Sequence, residues 1–166
     1  TTGDCLGAGG DLDAEGLAAL EQHFTIAGRI RAKNEMGKAG FARISDRAGS
    51  LQIFIKKNLL GDEGFATWKR LDLGDWVRVS GRLMRTRRGD LSLRLDSLEL
   101  ISKCLRSMPD KWRGLTDVEF RYRHRYVDLM LNDEVRDTFR ARSIVMREIR
   151  RFFDDRDYLE VETPMM

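Results

Sequence analysis

Phe41-Ala42-Arg43-Ile44-Ser45-Asp46-Arg47-Ala48-Gly49-Ser50-Leu51-Gln52-Ile53-Phe54-Ile55-Lys56 is the stretch on which the fold turns. Aliphatic side chains recur at every second position, Ala42 and Ile44 before a turn at 47–50 and Leu51, Ile53 and Ile55 after it. That is the period of half-buried strands. Phe41, Arg43 and Ser45 occupy the opposite face of the first strand, and Gln52, Phe54 and Lys56 that of the second. Upstream, Phe24, Ile26 and Ile30 alternate with Thr25, Ala27, Arg29 and Arg31, and a glycine-containing loop at 33–40 joins this strand to the next. Three strands in succession predict a meander.

Downstream the period changes. Residues 58–71 break the alternation, and Phe65, Trp68 and Leu71 fall at helical spacing. Alternation returns over 76–86, where Val77, Val79 and Leu83 face one way. Arg87-Arg88-Gly89-Asp90 forms a hairpin corner, and Leu91, Leu93 and Leu95 then oppose Ser92, Arg94 and Asp96. Five strands with a helix between the third and fourth predict an all-β OB-fold, a partly open barrel that binds oligonucleotides on its second and third strands and adjacent loops.

Four segments result: a partly flexible leader at 1–23, the barrel at 24–104, a connector at 105–132, and a helix and strand at 133–166. In the leader, Gly7, Gly9 and Gly10 lack the preceding strand that a dinucleotide-binding loop requires, and 12–20 predict a short helix. In the connector, Thr116 and Glu119 make a capping box with Leu115 and Phe120 at the staple positions, predicting a helix to about Leu131. Asn132 is a good N-cap for a second helix, striped by Phe139, Met146, Ile149 and Phe153 and widened by Val145 and Phe152. Residues 158–163 alternate as a strand ending at Pro164. An apolar stripe and a strand without partners in 166 residues predict a truncated or missing second domain.

Composition narrows the function. No run approaches the roughly 20 apolar residues of a membrane span. The first twenty residues lack a basic, apolar secretory signal, so the reading is cytoplasmic. Cys5 and Cys104 lie far apart, and neither they nor His23 and His124 have neighbours at metal-ligand or catalytic spacing; no metal site is expected. Residues 1–23 hold five acids and no bases, whereas 24–102 hold 16 bases and nine acids. A basic middle points to a polyanionic partner, and equally to solubility where charge is taken alone.

Phe41 and Gln52 carry the sharper signal. Alternation places both on the outward faces of adjacent strands, a ring for a nucleobase to stack on beside an amide able to donate to and accept from a base edge. The competing reading packs Phe41 under a loop and leaves Gln52 merely solvated. Arg29, Arg31, Lys33, Lys38, Arg43 and Lys56, with Arg87 and Arg88 at the corner, are candidates for contacts to phosphates.

The stretches AGRI, MGKAGF, LDLGDWVRVSG, TRRGDLSL, MPDKWRGLTD, RYRHRYVDLMLND and EVETPMM follow in an order that resembles the class II lysyl-tRNA synthetases over roughly residues 24–166. The resemblance implies an anticodon-binding barrel in which Phe41 stacks on the central uridine and Gln52 reads it. Asp90 stands where the family usually has Glu, one methylene longer. Asn34 stands where it often has Arg, with Lys33 beside it offering a point charge in place of a planar fork. The segment 133–166 resembles motif 1, the start of the α+β catalytic domain, which implies a homodimer interface through Val145, Ile149, Phe152, Phe153 and Pro164. Motifs 2 and 3 have no match, so no catalytic residue and no bound cofactor is expected here. ATP and Mg are expected of the full-length enzyme, which joins lysine to tRNA through lysyl-adenylate. Two alternatives are a stand-alone OB module for single-stranded nucleic acid and an inactive paralogue that dimerises.

Overall fold

Two short helices, α1 (Thr2–Gly9) and α2 (Ala14–Ala19), precede β1 (Phe24–Met36), β2 (Ala39–Ser45) and β3 (Ser50–Lys56). Helix α3 (Lys57–Arg70) then leads to β4 (Trp76–Arg85) and β5 (Leu91–Ser102). The computed structural model describes residues 1–106, 108, 115 and 117–164. The strands close into a barrel in the order β1-β2-β3-β5-β4, parallel at the β3–β5 seam and antiparallel elsewhere. The OB-fold expectation is met, including the helix between the third and fourth strands.

The period of two explains the barrel's interior. Ile30, Ile44, Leu51, Ile53, Ile55, Val77, Val79, Leu83, Leu93 and Leu95 are buried. Each such aliphatic stabilises by roughly 1.5–3 kcal/mol relative to exposure. Helix α3 covers one end of the barrel with Phe65, Trp68 and Leu71, the three residues at helical spacing. Ser92 departs from simple alternation. It was expected outward, but it is 0% exposed, flanked in register by Gln52 of β3 and Met84 of β4.

In the leader, expected to be partly flexible, the short helix read over 12–20 is present as α2, and residues 2–9 also form a helix, anchored to the barrel. Thr1 caps α1 by accepting from the Asp4 N–H, and the Thr2 N–H and hydroxyl donate to the Asp46 carboxylate at 2.7 and 2.6 Å. Cys5 and Leu17 bury themselves in the barrel's core, and burial pushes the Cys5 thiol up to about 11. This is tertiary stabilisation of a glycine-rich sequence with little helix propensity of its own.

The chain divides into two compact units, Thr1–Met108 and Pro109–Met166. In the second unit, Asp117 caps α4 (Val118–Arg123) by accepting from the Phe120 N–H. The expected capping box on Thr116 and the connector residues 109–114 lie outside the described residues. The single helix expected to Leu131 is broken at His124 (φ −118°, ψ 50°), where α5 (Arg125–Leu131) begins. The break brings Arg121, Arg125 and Asn132 onto Asp128, whose carboxylate is fully buried and accepts from them at 3.1, 2.6 and 2.6 Å. Asp128→Ala should destabilise this unit by about 2–3 kcal/mol. That is below the usual figure for a broken buried ion pair because both arginines remain about a third exposed. A urea melt followed through the second unit's helical signal checks it, and a change under about 0.5 kcal/mol would refute the assignment.

Helix α6 (Asp133–Asp154) carries its apolar stripe on the surface: Val145, Ile149, Phe152 and Phe153 are all exposed, Phe153 touching only Phe152 and Tyr158 among the described aromatic rings, and Pro164 is exposed too. The strand expected over 158–163 does not form. An isolated extended segment has no neighbour to accept its ladder hydrogen bonds, and these residues are irregular and exposed.

Candidate nucleic-acid interface

Register assembles the site. Asn34 of β1 pairs with Phe41 of β2, and Phe41 with Phe54 of β3, so three side chains lie in a row across the barrel's outer face. Gln52 stands two residues before Phe54 and therefore on the same face, with Arg43 paired to it. The Phe41 and Phe54 rings lie 4.9 Å apart, tilted by 37°, and form an aromatic platform. The competing expectation, Phe41 packed beneath a loop, does not hold: both Phe41 and Gln52 line an open concavity.

That concavity, of about 610 Å³, is bounded by Asn34, Met36, Phe41, Gln52 and Phe54 from β1–β3 and by Met84, Thr86, Arg87, Arg88 and Asp90 from β4 and the hairpin. The hairpin is fixed locally. Thr86 N–H donates to the Asp90 carbonyl at 3.0 Å, Asp90 N–H to the Thr86 hydroxyl at 3.2 Å, and Gly89 N–H to the Thr86 carbonyl at 2.9 Å. Gly89 adopts φ +88°, which a side chain rarely tolerates. The corner thus turns Arg87, Arg88 and Asp90 toward the aromatic platform.

Of the residues singled out in the sequence, Phe41, Gln52, Asn34, Asp90, Arg87 and Arg88 meet here. A neighbouring hollow of about 570 Å³, sharing Met36 with the first, is lined by Lys38, Lys56 and Lys57, with Asp62 paired to Lys57 at 2.7 Å. Arg29 lies elsewhere: it donates to the Gly74 carbonyl at 2.9 Å and stacks over Trp76. Arg31 is the extra residue of the β1 bulge between Ile30 and Ala32 and is not part of the concavity's lining.

Lys33 is a correction. Adjacent residues of a strand face opposite ways, so Lys33, next to Asn34, shares its side with Ala42 rather than Phe41. Its ammonium donates to the Leu71 carbonyl at 2.7 Å, lies over the Trp68 ring, and pairs with Glu35 at 2.7 Å. It caps the end of α3 and does not reach the site. Conversely, Phe54, Met36, Met84 and Thr86 line the concavity without having been singled out, although Phe54 shares the parity that identified Gln52.

Comparison with known proteins agrees with the fold. Residues 24–101 match the family model described as OB-fold nucleic acid binding domain, and residues 117–166 that of tRNA synthetases class II (D, K and N). The lysine–tRNA ligase of Xylella fastidiosa (strain M12) is 51% identical over 153 residues, covering 92% of this chain and 30% of the relative. That of Bacillus thuringiensis (strain Al Hakam) is 48% identical over 165 residues, covering 99% of this chain and 33% of the relative. The chain therefore spans about a third of the length of the curated relatives it matches.

Proposed function

The chain belongs to the class II lysyl-tRNA synthetase family, and from that premise we propose that it reads the anticodon of a lysine tRNA for a parent enzyme joining lysine to that tRNA. The observation that carries the reading is the convergence of an aromatic platform, two amides, a carboxylate and two arginines around one concavity. An unstacked uracil lying on Phe41 offers O4 as acceptor and N3–H as donor, and the Gln52 carboxamide supplies the complementary N–H and oxygen. Arg87 and Arg88, with Lys38 and Lys56 beyond Met36, supply positive charge for the backbone on either side of that base. Asp90, shorter than the family's usual Glu, accepts from a base amine or a ribose hydroxyl.

The parent enzyme's adenylate chemistry, with ATP and Mg, belongs in this proposal to segments outside these 166 residues. A cytoplasmic setting is part of the same proposal. Among the described residues no helix is long and apolar enough to cross a membrane. The exposed stripe of α6 is assigned to a homodimer contact of the parent protein, centred on Val145, Ile149, Phe152 and Phe153 with Pro164 beyond.

The test is binding of an RNA stem-loop carrying UUU. Affinity is expected to fall steeply with salt, at about 0.7 logarithmic units per logarithmic unit of salt for each phosphate neutralised. Phe41→Ala should cost about 1–3 kcal/mol of binding, the usual worth of one stacked base. A stem-loop with its central base changed should bind more weakly. Equal binding of both loops would favour a sequence-indifferent OB module instead, and no loss with Phe41→Ala would remove RNA from the reading altogether.

A further inference from the structure

The hairpin that closes the site does not stand on its own turn chemistry alone. Arg85, the last residue of β4, points its guanidinium at two backbone segments far apart in sequence, residues 9–12 and the hairpin. Its Nε donates to the Leu12 carbonyl at 2.8 Å, one terminal nitrogen to the Gly89 carbonyl at 2.8 Å, and the other to the carbonyls of Gly10 at 2.6 Å and Gly9 at 3.4 Å. Gly9 and Gly10 end α1, so the cation also meets the negative end of that helix. Gly89 is the apex glycine of the corner bearing Arg87, Arg88 and Asp90.

Packing reinforces the link. A Cβ on Gly9 would come within 2.8 Å of Leu83 Cδ1, 3.0 Å of Leu17 Cδ2 and 3.1 Å of Leu91 Cδ1. Leu83 and Leu91 are the aliphatic residues flanking the hairpin on its two strands. The other end of α1 is tied to Asp46 at the β2–β3 turn, far in sequence from the corner. Helix α1 is therefore braced at one end and carries the hairpin, through Arg85, at the other.

We infer that Arg85 is a positioning residue for base recognition: its fork locks the 86–90 hairpin to α1 and so fixes where Arg87, Arg88 and Asp90 stand relative to Phe41 and Gln52. Lysine cannot substitute, because one ammonium on a flexible stem cannot span the four carbonyl groups that the planar guanidinium fork reaches. Arg85 does not line the concavity, so its effect on RNA passes through the hairpin.

The inference rests on the anticodon-reading proposal, but part of its test does not. Amide hydrogen exchange at Gly89 and Asp90, measured on the full chain without RNA, should quicken by about tenfold or more in Arg85→Lys and Arg85→Ala. With RNA, the preference for UUU over a loop with a changed central base should shrink at least about fivefold in both variants, since displacement of a recognising group by about 1 Å has effects of that order or larger. Asp46→Ala, which frees the opposite end of α1, should lower thermal stability while keeping the preference. Unchanged exchange at Gly89 overturns the inference, and so does an equal loss of preference in Asp46→Ala, which would make Arg85 one support among several. Should Arg85→Ala fail to fold, Arg85→Lys carries both readouts. If the unaltered chain shows no preference for UUU, the anticodon reading fails, while the exchange result still decides whether Arg85 holds the hairpin.

Discussion

Gly81→Ala is expected to cost the barrel at least about 3 kcal/mol, at or beyond the top of the usual range for overpacking. A Cβ built on Gly81 lies 2.0 Å from the Arg94 carbonyl oxygen, 2.8 Å from its carbon and 3.1 Å from the Leu95 Cα. All three are backbone atoms, so no rotamer change relieves the clash; two strands must move apart. The cause is a bulge. Ser80 pairs with Ser97 and Gly81 with Leu95, leaving Asp96 as the extra residue on β5, where it receives His23 Nε2 at 2.7 Å. The bulge bends β4 and β5 inward at the point where Gly81 also pairs with Phe24 of β1, so closure of the barrel depends on it. For a unit of this size, 3 kcal/mol corresponds to a fall in midpoint of roughly 12 °C or more by circular dichroism. Gly7→Ala is the control: nothing lies within 4 Å of a Cβ there, and removing a helical glycine should stabilise by about 0.5–1 kcal/mol. A Gly81→Ala midpoint within about 2 °C of the parent would refute the steric argument.

The barrel and half the site were legible because both follow from parity. Once residues 41–56 alternate, Ile44 and Ile53 must share the interior, and Phe41 and Gln52 the outside. The hairpin at 86–90 was legible from its glycine. What stayed hidden depends on contacts between distant segments. Residues 2–9 contain three glycines and no strong helical pattern; they form α1 because Asp46 and Arg85 hold its two ends. Lys33 was placed with Asn34 by adjacency, although the parity that revealed Phe41 puts neighbours on opposite faces. Ser92 is covered because the parallel β3–β5 seam sets Gln52 beside it, a pairing between strands forty residues apart that no local pattern encodes. The break at His124 follows from the buried Asp128, which draws in donors from both sides of it. The missing strand at 158–163 failed for the opposite reason, since alternation describes a strand's faces and says nothing of whether a neighbour exists.

Asp75→Ala should destabilise the first unit by about 2–3 kcal/mol, the partner Lys103 being itself about a third exposed. The carboxylate of Asp75 is 0% exposed and accepts from the Asp72 N–H at 2.8 Å, the Cys104 N–H at 2.8 Å and the Lys103 ammonium at 2.7 Å. It thereby ties the turn after α3 to the exit of β5. The same residue's carbonyl accepts from the Ile30 N–H at 2.9 Å, sewing that turn to β1. Removing the side chain strands two backbone donors, the Asp72 and Cys104 N–H groups, while Lys103 keeps the Asp72 carboxylate at 2.6 Å and the Arg70 carbonyl at 3.2 Å. Burial by itself would raise the Asp75 carboxyl, but the Asp72 N–H, the Lys103 ammonium and the Cys104 N–H outweigh it and hold it below the ordinary carboxylate range. Asp46 is depressed in the same way, with burial opposed by the Thr2 hydroxyl and N–H and by the Ala48 and Gly49 N–H groups. A depressed carboxylate contributes stability that is fully present above its unfolded value, near 3.9, and is lost as pH falls through its folded value. Unfolding free energy should therefore drop as pH falls below the unfolded carboxylate value, and Asp75→Asn should flatten that drop while lowering the neutral-pH plateau. An unaltered acid limb in Asp75→Asn would show that the carboxylate's charge is not what closes the turn. The consequence reaches the RNA site, because this turn fixes α3, whose Trp68 lies beneath the Lys33 ammonium and against Gly40, one residue from Phe41. A loosened turn should thus weaken stem-loop binding even where the protein remains folded, with Phe41, Gln52 and the hairpin all intact.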